Sequence, residues 1–443
     1  MAVTAVLERA PETRTLPYAV YDGDGHLYET MDTFRRHLPK QYHKDFQYVQ
    51  VEGRTKLAIN GHISEYIPNP TFEVVAAPGS HEIWYRGENA DGKSLRELTG
   101  DPLAYQPEFG EPESRLKLLD EQGVHAQLIF PTLASIIEGH MGNNVQLMAA
   151  LVHSLNAWVA DEWTFNYKDR LFPCAYISLA DADLACAELE WALKQGAKHI
   201  LIRPAPVPGV FGPRSPGLPE FDRFWGMVNE SNIFVVLHVS DSGYDQIYRW
   251  WGSGSTEMVA FDRSDPLKAC MDTQGRSIAD TIAALIAHGV MDRFPKIRWM
   301  SAENGSIWVP HLMKMFKRAY GQMPQAFKRH PIDTFKESVT VSDLLDSSCR
   351  NPAQRVEQTI SRLRPYGVRM RVVAFVGNIV FAYLVEILEP ERVVDEAGKK
   401  MFAEYFTGLF LTEIGMGPRF VVLMNKVRTL QKVRDPSNST FGK

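Results

Sequence analysis

Asp24 and His26 stand one residue apart in the run Asp22-Gly-Asp-Gly-His26-Leu-Tyr-Glu29. On an extended strand, side chains two positions apart share a face. A carboxylate and an imidazole placed this way can reach one divalent ion, and the pair suits Zn²⁺, Mn²⁺ or Fe²⁺. The competing reading is a polar turn. His238 closes the apolar run Ile233-Phe-Val-Val-Leu-His238, where a lone histidine serves structure as readily as metal. Glu303 follows Arg298-Trp-Met-Ser-Ala302 and is either a ligand, an acid–base group or the cap of the next helix. Arg203 ends Leu201-Ile-Arg-Pro204. It can clamp a substrate carboxylate bidentately or pair with a neighbouring loop. Asp241 and Tyr244, in His238-Val-Ser-Asp-Ser-Gly-Tyr244, belong to a rim loop, and Asn304 follows Glu303.

These residues converge only if the elements carrying them form one sheet. Short apolar runs alternate with helical stretches: strands at Tyr18–Tyr21, His125–Pro131, Phe172–Ser178, Lys198–Arg203, Ile233–Val239 and Lys296–Ala302, then Ser338–Val341 and Arg371–Val376. Helices are expected over Glu113–Gln122, Asn144–Tyr167, Asp181–Gln195, Glu220–Glu230, Ser277–His288 and Ser306–Tyr320. Asp181 is placed to cap its helix and Gly196 to close it. Apolar strands separated by helices imply a parallel sheet covered by helices. Eight such units favour an α/β fold of the (β/α)8 TIM-barrel type, with the candidate residues at the C-terminal ends of the strands. Residues 1–17 read as a tail, 18–342 as the barrel with a hairpin and loop insertion at about 40–110, and 343–443 as a divergent, helical C-terminal region.

The remaining composition excludes other classes. A net charge of −5 and the lack of a Lys/Arg run argue against nucleic acid. The most apolar run, Val372–Leu388, contains Gly377, Asn378 and Glu386 and falls short of a membrane span. Cys174, Cys186, Cys270 and Cys349 form no CxxC pair and read as reduced thiols of a cytoplasmic protein. No glycine-rich phosphate loop is present. The expected partners are a small-molecule substrate and a second copy of the chain in a dimer, without nucleic acid or membrane.

The ordered set Tyr21–Glu29, Leu128–Thr132, Leu171–Ser178, Gly196–Pro204, His238 with Asp241–Tyr244, and Phe294-Pro-Lys296 with Glu303-Asn-Gly305 resembles the amidohydrolase-related family. This is the amidohydrolase superfamily branch that includes aminocarboxymuconate-semialdehyde decarboxylase and γ-resorcylate decarboxylase. The resemblance spans roughly residues 18–342. It implies one divalent metal, zinc first with manganese or iron as alternatives, and decarboxylation or hydrolysis of a small carboxylated or aromatic molecule. It places Asp24, His26, His238 and Glu303 at the metal, with His238, Glu303 and Asp241 as catalytic candidates. Arg203, Tyr244 and Asn304 are then substrate-binding candidates. The family's eighth-strand aspartate has no counterpart, and Asn378 is its nearest stand-in. An amide cannot take up a proton at neutral pH, so a chain that kept the barrel and lost the chemistry is the competing reading.

Overall fold

The computed structural model describes residues 20–64, 67, 69–75, 89–94, 97, 101–122, 124–141, 144–252, 265–271, 273–345, 369–375 and 384–387. The strands, in chain order, are β1 Val20–Leu27, β2 Phe46–Val51, β3 Arg54–Ile59, β4 His62–Ser64, β5 Val74–Val75, β6 Leu103–Ala104, β7 Ala126–Pro131 and β8 Leu171–Pro173. They continue with β9 Ala175–Tyr176, β10 His199–Ile202, β11 Phe234–His238, β12 Arg298–Ala302, β13 Val339–Leu345, β14 Arg369–Phe375 and β15 Leu384–Ile387. The principal sheet runs β8-β7-β1-β15-β14-β13-β12-β11-β10-β9. Its two ends, β8 and β9, are separated in the chain only by Cys174. The Cys174 N–H donates to Ile129 O of β7 at 2.9 Å, and Ile177 N–H donates to Leu201 O of β10 at 3.0 Å. One stretch of chain thus bonds both terminal neighbours.

Helices alternate with these strands: α1 Pro112–Gln122, α2 Ile137–Met141, α3 Val145–Glu162, α4 Ala182–Lys194, α5 Asp222–Glu230, α6 Thr273–Ala287, α7 Trp308–Gln322 and α8 Pro331–Ser338. Asp181 caps α4 by accepting from Asp183 N and Leu184 N, both at 2.9 Å, and Gly196 closes it at φ +92°. Asn144 caps α3 through Leu147 N. The apolar faces of these helices bury Leu151, Leu155, Leu189, Phe224 and Leu312 against strand residues such as Ile129, Ile200 and Val235. No described helix is long and apolar enough to cross a membrane. Cys174, Cys186 and Cys270 are free thiols.

Two expectations are corrected. The pairings of β8 with β7, of β7 with β1 and of each neighbour from β9 through β14 are parallel, but β15 is antiparallel to both β14 and β1. The eighth strand therefore does not close directly on the first. The C-terminal region was expected to be helical, yet its described parts are strands, as suits the β-branched and apolar run Arg369-Met-Arg-Val-Val-Ala-Phe375. Asn378 lies outside the described residues, as do residues 76–88 of the expected insertion. In the insertion, β2, β3 and β4 form an antiparallel meander. Its two-residue turns are Glu52-Gly53 and Asn60-Gly61, with φ of 50°, 74°, 52° and 82°. Positive φ at both central residues matches the right-handed twist of a tight hairpin.

Candidate metal centre

Asp24, His26, His238 and Glu303 come together at the C-terminal ends of β1, β11 and β12, each offering one ligand atom within 4.8 Å of the others. His238 Nε2 lies 3.0 Å from Asp24 Oδ1 and 3.3 Å from Glu303 Oε2. His26 Nε2 lies 3.5 Å from Asp24 Oδ1 and 3.9 Å from Glu303 Oε2. The imidazole rings meet edge to face, 5.1 Å between centroids, and Phe130 packs on His238 at 4.8 Å.

Local structure aims each ligand. The β1–β7 register shifts between Asp22 and Gly25, and a Cβ at Gly25 would collide with the Gln127 side chain. Gln127 Nε2 donates to Asp22, whose other oxygen accepts from Asp24 N at 3.0 Å. Arg115 locks this bulge by donating to Gln127 Oε1 at 2.9 Å and His26 O at 2.7 Å. Asp22 is thereby a support, and burial pushes its carboxyl up to about 7. Glu29 is likewise structural: buried, with its carboxyl pushed up to about 8, it accepts the backbone N–H groups of Thr132, Leu133 and Ala134.

Both histidines present Nε2 to the centre. His238 Nδ1 donates to Val239 O at 2.7 Å. The Thr132 hydroxyl proton goes to Leu27 O at 2.9 Å, so Thr132 Oγ1 accepts from His26 Nδ1 at 3.3 Å. Outer hydrogen bonds of this kind fix the tautomer of metal-ligating histidines. Glu303 sits at φ 57°, a left-handed conformation that costs a non-glycine residue about 1–3 kcal/mol. It does not cap α7, whose N-cap position is Ile307.

The electrostatics leave the cluster unfinished. Burial and the neighbouring Asp24 push the Glu303 carboxyl up to about 8. Burial depresses His26. Burial alone would lower His238, but the Asp24 charge and hydrogen bond hold it up to about 9. Burial likewise opposes ionisation of Asp24, and the two histidines overcome it, so its carboxyl lies below the usual range. Asp24 Oδ2 and His26 Nε2 are buried with no hydrogen-bond partner among the described residues. Two adjacent carboxylates, two imidazole nitrogens and these orphaned atoms fit a bound divalent cation.

The other candidates lie apart from this cluster. Arg203 does not stand ready for a carboxylate: its Nε lies 3.1 Å from buried Glu138, and its Nη atoms donate to Asp241 O and Pro206 O at 3.1 Å. A buried guanidinium needs a counter-charge, and the chain provides one. Asp241 accepts from Gly243 N at 2.9 Å and packs against Gly139. Tyr244 donates to Asp280 at 2.8 Å. Asn304 bridges the strand ends by donating to Leu237 O at 2.9 Å and Ala302 O at 2.7 Å, so it positions β11 and β12. Sequence reasoning missed Glu138, Thr132 and Gln127. Thr132 alone carried a signal, since it follows the strand that pairs with β1.

A family model described as Amidohydrolase matches residues 25–382. His26, His238 and Glu303 fall within it, and Asp24 immediately precedes it. Among solved structures, an amidohydrolase from Mycobacterium avium subsp. paratuberculosis K-10 is 33% identical with a TM-score of 0.71, covering 80% of this chain and 87% of that one. A 2,6-dihydroxybenzoate decarboxylase from Rhizobium is 20% identical, TM-score 0.44, covering 65% and 83%. A 5-carboxyvanillate decarboxylase from Novosphingobium aromaticivorans DSM 12444, solved with manganese, is 16% identical, TM-score 0.48, covering 88% and 93%. No curated protein matches. With a family match over most of its length and a structural relative at 33% identity, the chain belongs to the amidohydrolase family.

Proposed function

We propose that this protein is a metal-dependent hydrolase or carboxy-lyase of a small organic acid, built on a family-type α/β barrel. The observation that carries the proposal is the set Asp24, His26, His238 and Glu303, buried or half-buried, with Asp24 Oδ2 and His26 Nε2 unpartnered among the described residues. Two imidazoles and two carboxylates accept zinc or manganese, and iron is compatible with the same donors. When bound, the ion supplies Lewis acidity towards a substrate oxygen and a water molecule.

The chain's own residues do the rest. Thr132 and Val239 O hold the two imidazoles in the ligating tautomer. Gln127 and Arg115 fix the bulge that presents Asp24. Phe130 lies against His238 and His26 as an apolar wall, which limits water at the centre. Glu303 is the acid–base candidate of the set, held beside His238 at the end of β12 by its left-handed backbone. Arg203 is engaged by Glu138, so the substrate acid is oriented by other groups.

Elemental analysis of protein expressed with zinc and manganese tests the proposal. About one tightly held ion per chain is expected for the wild type, and a large loss for Asp24→Ala. Metal-free wild-type protein under these conditions would favour a barrel that binds ligand without metal chemistry.

A further inference from the structure

Two strands from the ligand strand β11, a tyrosine on the same face of the sheet is buried with no partner for its hydroxyl among the described residues. Tyr176 ends β9 and is fully buried, and its hydroxyl finds no partner among the described residues. Its backbone is held firmly: Asn156 of α3 accepts from Tyr176 N at 2.9 Å and donates to Tyr176 O at 2.8 Å. The register fixes the face it occupies. Tyr176 pairs with Leu201 and Leu201 with Val236, so the three share one row and one face. Val236 lies two residues before the ligand His238 and Leu201 two before Arg203, so all five side chains emerge on the same side of the sheet. The ring therefore stands one pleat below the rim that carries the ligand.

Ser240 repeats the pattern. It lies two residues past His238, is buried, and its hydroxyl also lacks a partner among the described residues. In strand order the two hydroxyls flank Arg203: Tyr176 on β9, Arg203 after β10, Ser240 after β11. Arg203 itself is neutralised by Glu138. Buried polar atoms are nearly always hydrogen-bonded, and exceptions call for a partner that is absent. A fold gains nothing from two such hydroxyls, since phenylalanine and alanine would fill the same places without the desolvation penalty.

We propose that Tyr176, with Ser240, is a substrate-binding and specificity-determining residue of this site, donating hydrogen bonds to a carboxylate or carbonyl oxygen of a small organic acid. The assignment rests on the metal-dependent reading above. Burial holds the phenol well above its ordinary range, so it stays a donor at every working pH. Glu138 and Asp241 surround it with negative charge and Arg203 with positive charge, so the oxygen is taken by hydrogen bonding near a neutralised ion pair.

The test uses the full chain, loaded with manganese and stripped of metal, as wild type, Tyr176→Phe and Ser240→Ala, with benzoate as the probe. In metal-free protein without benzoate, Tyr176→Phe should raise the thermal midpoint by about 2 °C, because an unpaired buried hydroxyl is removed. In the loaded protein, benzoate affinity by calorimetry should fall about tenfold for Tyr176→Phe, and less for Ser240→Ala. A lowered midpoint in Tyr176→Phe would give the hydroxyl a structural partner and overturn the proposal. So would a raised midpoint with unchanged benzoate affinity, or wild-type protein that carries metal and ignores benzoate. Failure to load metal removes the reading of the centre instead, while the metal-free midpoints still decide whether the Tyr176 hydroxyl is spare.

Discussion

Two charged groups sit at neighbouring strand ends and are built in opposite ways. After β10, Arg203 meets Glu138 at 3.1 Å, and its Nη atoms donate to carbonyls of two rim loops. At the ends of β1, β11 and β12, Asp24 and Glu303 face each other across two imidazoles, with buried atoms left over. Both are buried, so both carry a desolvation cost. In the first, the chain supplies the opposite charge. In the second, Asp24 is met by His238, yet Asp24 Oδ2 and His26 Nε2 keep no hydrogen-bond partner among the described residues and a second carboxyl, Glu303, crowds the same centre. Burial and charge alone therefore do not identify a functional site; incomplete compensation does.

The sharpest way to break this contrast is to remove one member of the complete pair. Glu138→Ala strands a buried guanidinium and should cost about 3–5 kcal/mol in chemical denaturation. Metal content should be unchanged in whatever fraction folds. A loss below about 1 kcal/mol, the range of exposed pairs, would mean that Arg203 finds another counter-charge and the pair is not a closed unit.

Next in size is the response to metal. An ion that binds only the folded chain stabilises it by about 2.7 kcal/mol at one hundred times its dissociation constant. Titrating zinc or manganese into chelator-treated protein should raise the thermal midpoint for the wild type and leave Asp24→Ala unmoved. Equal shifts in the two proteins would place the ion elsewhere.

Much of this contrast could be read from the sequence because strand alternation is a local rule. Asp24 and His26 share a face by their spacing, and His238 and Glu303 terminate apolar runs that pair in register. Glu303 emerges as a ligand candidate, not a cap, because its left-handed backbone turns the chain before α7 begins. Arg203 carried two readings, and the ion pair with Glu138 was not legible because Glu138 comes from a short helix after another strand and only the fold brings them together. The antiparallel strand β15 was missed for a related reason: Leu384–Ile387 has no periodicity that distinguishes it from a helix segment. The β2–β4 meander, by contrast, carried a signal in Asn60-Gly61 that a search for tight turns would have used.

A third test probes the layer beneath the centre. His199 is buried, stacks on Phe234 at 5.0 Å, and has both ring nitrogens unpartnered among the described residues. Burial pushes its imidazole down to about 3, so the folded chain keeps it neutral while the unfolded chain protonates near 6.5. Its stabilising contribution is thus complete above 6.5 and is lost as pH falls towards 3. At pH 5 the loss is about 2 kcal/mol, from about one and a half pH units at 1.36 kcal/mol each. His199→Phe keeps the ring and removes the titration. Its stability advantage over the wild type, measured in urea, should grow by that amount between pH 7.5 and pH 5. A constant difference would mean that the imidazole is not sealed from protons.

The smallest expected effect belongs to Asp241, which the sequence places among the catalytic candidates. Its carboxylate accepts from Gly243 N and packs against Gly139, and the contact to Arg203 is made by its backbone carbonyl. It belongs to the compensated region, outside the four-ligand cluster. Asp241→Asn preserves that shape, so stability should move by no more than about 0.5 kcal/mol and metal content should not change. The loop that holds Arg203 would stay in place because the carbonyl is untouched. If Asp241→Asn instead strips the metal, the carboxylate reaches the centre when an ion is bound, and the two regions are one site. Metal content measured alongside the Glu138→Ala variant separates these outcomes: only a shared site would lose its ion in both.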